Sequence, residues 1–274
     1  MSDDLKTYRG KMSIQNKTKN NKQEKSKFDR MSGSFINLGF SLMFLFIIVL
    51  TTIQYVGASP SGPIVTFISN TTYTSTVPNR SIDAKGTITT LTMAATQQDY
   101  KWKAYVGNVS GGLTLDDAGG KAIYDWTLST ITGEVYVTRA TSVNWASIGC
   151  ANQSIIDSEQ GLLGMNPSGQ DSINRTFNNT LHKTFLVGTT NITASSCRST
   201  ATYINGAAQT VDPNAFFQEI LLKDNVTSSM IYTGLIDYHH ASYNNVTQYD
   251  FQMIVAENET APSPLNYYFY VELG

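Results

Sequence analysis

The sequence predicts a mainly β protein: a β-sandwich with one inserted helix, preceded by a single transmembrane helix. Three observations predict it. From Phe35 to Val56 the chain reads FINLGFSLMFLFIIVLTTIQYV, 22 residues without a charge. Beyond Ser59 it becomes rich in Thr, Ser, Asn, Tyr and Val, which suit a pleated, half-buried surface better than a helix. The apolar residues there fall in many short runs at roughly even spacing, with no fixed internal repeat.

As a helix, the uncharged run rises about 1.5 Å per residue and spans roughly 33 Å, enough for a hydrocarbon core of about 30 Å. A lone segment in lipid must satisfy its own backbone hydrogen bonds, and only a helix does so. Residues 1–30 carry nine Lys or Arg against four acids, whereas residues 31–274 carry ten against seventeen. A basic flank holds its side of the helix in the cytoplasm, which sends the C-terminal domain outside. The expected organisation is a disordered basic cytoplasmic tail (1–30), a transmembrane helix (31–57), a Ser/Pro/Gly stalk (58–63) and an extracellular domain (64–274). The expected location is the cell membrane, and the first partner is the lipid bilayer. The tail holds too few apolar residues to fold. Its lysines read as a solvated orientation signal, able to lean on anionic lipid, and not as a nucleic-acid site. A second reading stays open, in which residues 1–58 form a long secretory signal cleaved after Ala58, behind Val56 and Gly57. The length of the apolar run favours the anchor.

Within the domain, residues 64–68 (IVTFI) form the first strand candidate and residues 86–93 (GTITTLTM) the second, the latter alternating apolar and hydroxyl side chains. Residues 102–106 follow. The clearest hairpin signal is Leu113-Thr114-Leu115, then Asp116-Asp117-Ala118-Gly119-Gly120, then the return through Ala122 to Trp126, because glycines supply positive φ cheaply. Residues 134–138 (EVYVT) continue the sheet. A helix is expected from Asn152 or Ser154 to Leu163, with Ser154 as cap, an apolar stripe of Ile155, Ile156, Leu162 and Leu163, and Gly164 and Pro167 as the stop. A weaker helical pattern covers residues 172–177. Strands resume at 184–187, 216–222, 230–237 and 250–255. The last run, 267–273, should send Tyr267, Phe269, Val271 and Leu273 to one face and Tyr268, Tyr270 and Glu272 to the other.

Cys150 and Cys197 are the two cysteines, and an even pair outside the cell points to a disulfide, with two buried thiols as the alternative. Acceptor triplets for N-glycosylation occur at Asn70, Asn79, Asn108, Asn152, Asn174, Asn178, Asn191, Asn225, Asn245 and Asn258. Composition alone accounts for about half of such a set, and the remainder suggests a glycan coat that solubilises the surface and blocks strand edges.

Catalytic patterns do not emerge. The three histidines, His182, His239 and His240, show no zinc spacing, and adjacent strand residues face opposite ways. There is no Gly-x-Ser-x-Gly elbow and no phosphate loop. Glycosidase chemistry needs two carboxylates about 5 to 10 Å apart, and nothing in the sequence singles out a pair. Asp116, Asp117 and Asp125 could collect Ca²⁺, although ordinary turn chemistry explains them better. Tyr268 and Tyr270 could stack on a sugar, although cross-strand packing explains them better. No cofactor is expected.

The run from Trp102 to Gly111 (WKAYVGNVSG), with Leu113 to Asp116, Tyr124-Asp125-Trp126, Gly133 to Tyr136, the stretch through Cys150-Ala151-Asn152 and Tyr249 to Val255, resembles a group of uncharacterised archaeal N-terminally anchored cell-surface proteins. The resemblance covers most of the external domain and not the tail. It implies an archaeal membrane and archaeal N-glycosylation, and brings no activity or site residue with it. The expectation is therefore a single-pass surface glycoprotein whose external domain serves binding, adhesion or envelope structure, with a glycan or protein partner outside. Two alternatives remain: an extracellular carbohydrate-active or other hydrolytic enzyme, and a filament subunit packed through its N-terminal helix. The Pro60 and Pro63 break, which interrupts that helix, counts against the second.

Overall fold

The computed structural model of the chain describes residues 59–75, 84–261 and 263–274. The expected tail and transmembrane helix, Ala58 of the stalk, and the acceptor Asn79 lie outside these residues. Among them the chain is mainly β. Its strands are β1 (Trp102–Gly107), β2 (Gly112–Asp116), β3 (Ala122–Thr127), β4 (Gly133–Thr138), β5 (Ile148–Cys150), β6 (Phe185–Val187), β7 (Thr190–Ile192), β8 (Ser199–Ala201), β9 (Gln218–Asp224), β10 (Met230–Leu235), β11 (His240–Ala241), β12 (Gln248–Tyr249), β13 (Phe251–Ala256) and β14 (Tyr268–Leu273). The helices are α1 (Gln153–Leu162) and the single turn α2 (Ile173–Thr176).

A six-stranded antiparallel sheet, ordered β14-β4-β10-β9-β5, forms the centre. The short strands β5 and β8 share the outer edge of β9 end to end: Cys150 lies opposite Leu222, and Ser199 opposite Ile220. Strands β4, β9 and β10 are buried almost without interruption. Covered on both faces, they lose the in–out alternation that a one-sided sheet shows. On one face Val135, Val137, Leu221 and Tyr232 meet Met253 and Val255 of the β1–β13 ribbon, Ile156 of α1 and Ile173 of α2. On the other face Tyr136, Ile220, Leu222 and Ile231 meet Phe185, Val187 and Ile192 of the β6–β7 hairpin, together with Cys197. Each Ile, Leu or Val so buried contributes about 1.5–3 kcal/mol.

Aromatic side chains stitch the layers. Trp102 of β1 packs on Phe177 (6.2 Å between centroids), which packs on Tyr232 of β10, and the Trp102 indole N–H donates to the Asp171 carbonyl at 2.7 Å. The faces expected for the last strand hold: Tyr267, Phe269, Val271 and Leu273 line the first core, and Tyr270 the second.

Helix α1 stands where the apolar stripe places it, but its cap is different. The Asn152 side-chain oxygen, not Ser154, accepts from the Ile155 N–H at 3.0 Å. The stop is a Schellman pattern, with Gly164 at φ +66°, Met165 N–H donating to Gln160 O and Gly164 N–H to Gly161 O. Ile156 and Leu163 are buried, while Leu162 faces water. Arg139, just past β4, grips the buried Glu159 with two guanidinium nitrogens and fixes α1 to the sheet end.

Two expected strands are not formed. Residues 64–68 and 86–93 enter no strand ladder among the described residues, and they lie exposed. Their composition satisfies the strand pattern, yet a strand exists only when a neighbouring edge takes up its backbone groups.

Candidate functional site

The expected disulfide is present. Cys150 ends β5, Cys197 precedes β8, and their Cα atoms are 5.0 Å apart. Both strands lie on the edge of β9, so the bridge staples two short edge pieces that few ladder bonds hold. Closing the 47-residue separation stabilises the fold by about 4 kcal/mol on the chain-entropy estimate. His182, buried beside it, has a defined tautomer: Nδ1–H donates to the Lys183 carbonyl at 2.8 Å, and Nε2 accepts from the Ser196 and Cys197 N–H groups. Burial pushes its pKa down.

A polar cluster that sequence reading did not single out lies where β4 meets β14. Their register sets Glu134 directly opposite Glu272, with Tyr136 opposite Tyr270 two pairs along. Each glutamate is only 8% exposed. Both Glu272 oxygens accept from the Gly188 N–H (2.9 and 3.0 Å) in the β6–β7 turn, and the Tyr136 hydroxyl donates to Glu272 Oε2 at 3.0 Å. Burial, and then the neighbouring charge of Glu272, pushes the Glu134 carboxyl up to about 8. Burial also raises Glu272, against the Gly188 and Tyr136 hydrogen bonds. Two opposed carboxylates cannot both ionise cheaply, so the pair holds a proton at neutral pH. Lys183, which bonds to Asp237 at 3.4 Å, lowers Glu134 in part. These are the raised-pKa carboxylates that acid–base chemistry uses, but the Glu272 hydrogen bonds tie a turn and two strands together. The described open concavity, about 460 Å³, lies elsewhere, lined by Ala241 and residues 245–248.

Asp250 is a second buried hub. One carboxylate oxygen accepts from the His239 N–H and meets His239 Nδ1 at 3.0 Å; the other accepts from the Val109 N–H at 2.8 Å. It thus fixes the root of the β2–β3 hairpin. His240 turns away and stacks on Phe216 (3.6 Å between centroids), so the two adjacent histidines serve different contacts.

The hairpin itself is formed as expected. Asp117 Oδ1 accepts from the Gly119 and Lys121 N–H groups, both at 2.8 Å, which is turn chemistry. Among the described residues no three His, Cys, Asp or Glu side chains gather to hold a metal, the Asp116, Asp117 and Asp125 group included. Cross-strand pairs Leu113–Trp126 and Leu115–Tyr124 put four apolar side chains on one face, all between 42% and 60% exposed. Tyr124 and Trp126 touch each other, 4.9 Å between centroids, and nothing covers them among the described residues. Of the two tyrosines weighed as sugar platforms, Tyr270 packs on Trp145 and donates to the Thr141 carbonyl at 3.0 Å, while Tyr268 remains exposed.

The described acceptor asparagines Asn70, Asn108, Asn152, Asn178, Asn191, Asn225 and Asn245 are exposed, and Asn174 and Asn258 half-buried. At Asn152, Asn174 and Asn258 the side-chain oxygen is the atom engaged in hydrogen bonding, which leaves the amide nitrogen for a sugar.

Comparison with family models, curated proteins and solved structures returns no match for this chain.

Proposed function

We propose that the protein is a single-pass, membrane-anchored surface glycoprotein, whose external β-sandwich domain serves binding, adhesion or envelope structure rather than catalysis. The observation that carries it is the Cys150–Cys197 bridge, since such bonds persist in oxidising compartments outside the cytoplasm. The uncharged stretch from Phe35 to Val56 behind a basic tail supports the same orientation. Exposed acceptor asparagines support a glycan coat of the archaeal type that the resemblance implies. Of the most conspicuous carboxylate pair, Glu272 is spent on internal hydrogen bonds and Glu134 is buried opposite it, which supports recognition over hydrolysis.

The test is protease protection combined with deglycosylation. Protease added to intact cells should digest the protein beyond residue 60, and enzymatic or chemical deglycosylation should lower its mass. If intact cells protect that region while permeabilised cells lose it, the orientation is reversed and the proposal falls.

A further inference from the structure

Residues 64–68 (IVTFI) are apolar on both faces, as is a strand buried between two layers, yet Ile64, Val65, Phe67 and Ile68 are 63–99% exposed. No charge occurs between residues 62 and 75. The arm is tied to the domain at its start, where Ser61 exchanges backbone bonds with Val271 of β14 (3.0 and 2.9 Å). Gly62 and Pro63 then lead it off the sheet. Farther along, the Tyr73 N–H donates to the Gln98 side chain; between these points the described residues give the arm no backbone partner.

The same molecule carries a surface that such a strand fits. Hairpin β2–β3 is a two-stranded sheet on its own, with both outer edges unpaired among the described residues. Its Leu113, Leu115, Tyr124 and Trp126 face is uncharged, like the arm. An isolated two-stranded ribbon is marginal in water, and a third strand is what such a ribbon needs. Arm and hairpin also rise from the same end of β14, the arm at Val271 and the hairpin at Gly111, which sits against the Leu273 side chain. They form no ladder with each other. At about 3.3 Å per residue, the eleven residues from 64 to 74 reach roughly 36 Å, against about 17–20 Å for a hairpin strand. The arm is therefore long enough to span a whole hairpin strand.

We propose that residues 64–68 of one copy add as a third strand to the β2–β3 hairpin of a second copy of this chain. Backbone hydrogen bonds supply the pairing, and the uncharged apolar side chains of both partners supply the burial. Donor and acceptor are different surfaces, so the contact is heterologous: copies add head to tail, or two copies exchange arms reciprocally. This goes beyond the surface-glycoprotein reading and does not depend on which side of a membrane the domain faces.

The experiment uses the full chain in detergent, in two pools with different tags: one carrying Phe67→Cys, the other Leu115→Cys. Cys150 and Cys197 are bonded to each other, so the introduced thiol is the free one. After mixing and mild oxidation, a covalent product bearing both tags is expected, at least ten times more abundant than the product of either pool alone. The double change Val65→Lys with Phe67→Lys should abolish assembly of the chain as read by sedimentation and leave the melting temperature unchanged, since both side chains lie in water. The proposal is overturned if no two-tag product forms while a chain carrying both cysteines closes internally, which would mean the arm folds onto its own hairpin. It is equally overturned if Leu115→Cys chains link to one another as readily, or if the lysine variant assembles like the parent.

Discussion

Replacing Glu134 with Gln should make the domain markedly more stable in alkali and leave it almost unchanged in acid. In the folded chain this carboxyl is pushed up to about 8 from an ordinary 4.5, first by burial and then by Glu272 across the ladder. The folded pKa lies above the unfolded one, so the associated stability is complete below pH 4.5 and is lost as pH rises through 8. Above pH 8 the loss amounts to about 5 kcal/mol, because each pH unit between the two values costs about 1.4 kcal/mol. Gln keeps the shape and cannot ionise, so the variant should not suffer that loss. For a domain of this size 5 kcal/mol corresponds to roughly 10–20 °C in melting temperature. The assay is thermal unfolding of parent and variant by circular dichroism at pH 4.5, 6, 7.5 and 9. The difference between them should grow steadily across that range. Parallel curves at all four values would refute the upward shift of Glu134 at the β4–β14 pair. Glu272 and the fully buried Glu219 shift in the same direction by burial, and they stay in both proteins. His182 acts in the opposite sense: burial lowers its pKa, so its contribution is present above 6.5 and fades as pH falls.

Gly133→Ala should destabilise the domain by about 3 kcal/mol or more, or prevent its accumulation, because φ is +120° there and an added Cβ would lie 2.1 Å from the Glu272 carbonyl oxygen. Denaturant unfolding reads this directly, and a change under 1 kcal/mol would contradict it. Asn152→Ala should cost about 1 kcal/mol through loss of the α1 cap, whereas Asn152→Asp should keep the cap. Both remove the acceptor triplet, so the stability difference between the two variants isolates the capping effect from any glycan effect. Equal stability of the two variants would show that the Asn152 oxygen does no capping.

Elements written in local periodicity were legible from the sequence. The stripe of Ile155, Ile156 and Leu163 announced α1, Asp117 with Gly119 and Gly120 announced the hairpin, and alternation along residues 267–273 assigned both faces of β14. The two cysteines announced their bridge by number and expected compartment. Strands of three residues, such as β5, β7 and β8, carry too little pattern to be read, and they exist because β9 or a neighbouring hairpin strand receives their backbone groups.

The Glu134–Glu272 pair could not be read, since the two residues lie far apart in the chain and only the β4–β14 register brings them face to face. Conversely, residues 64–68 had the composition of a strand, and among the described residues they enter no ladder. The sequence by itself determined which segments prefer extended or helical backbone and which side chains share a face, because those depend on periods of two or 3.6 residues. Only the tertiary structure decided which edges meet and which carboxylates face each other, because hydrogen-bonded register is a property of two segments and is encoded in neither alone.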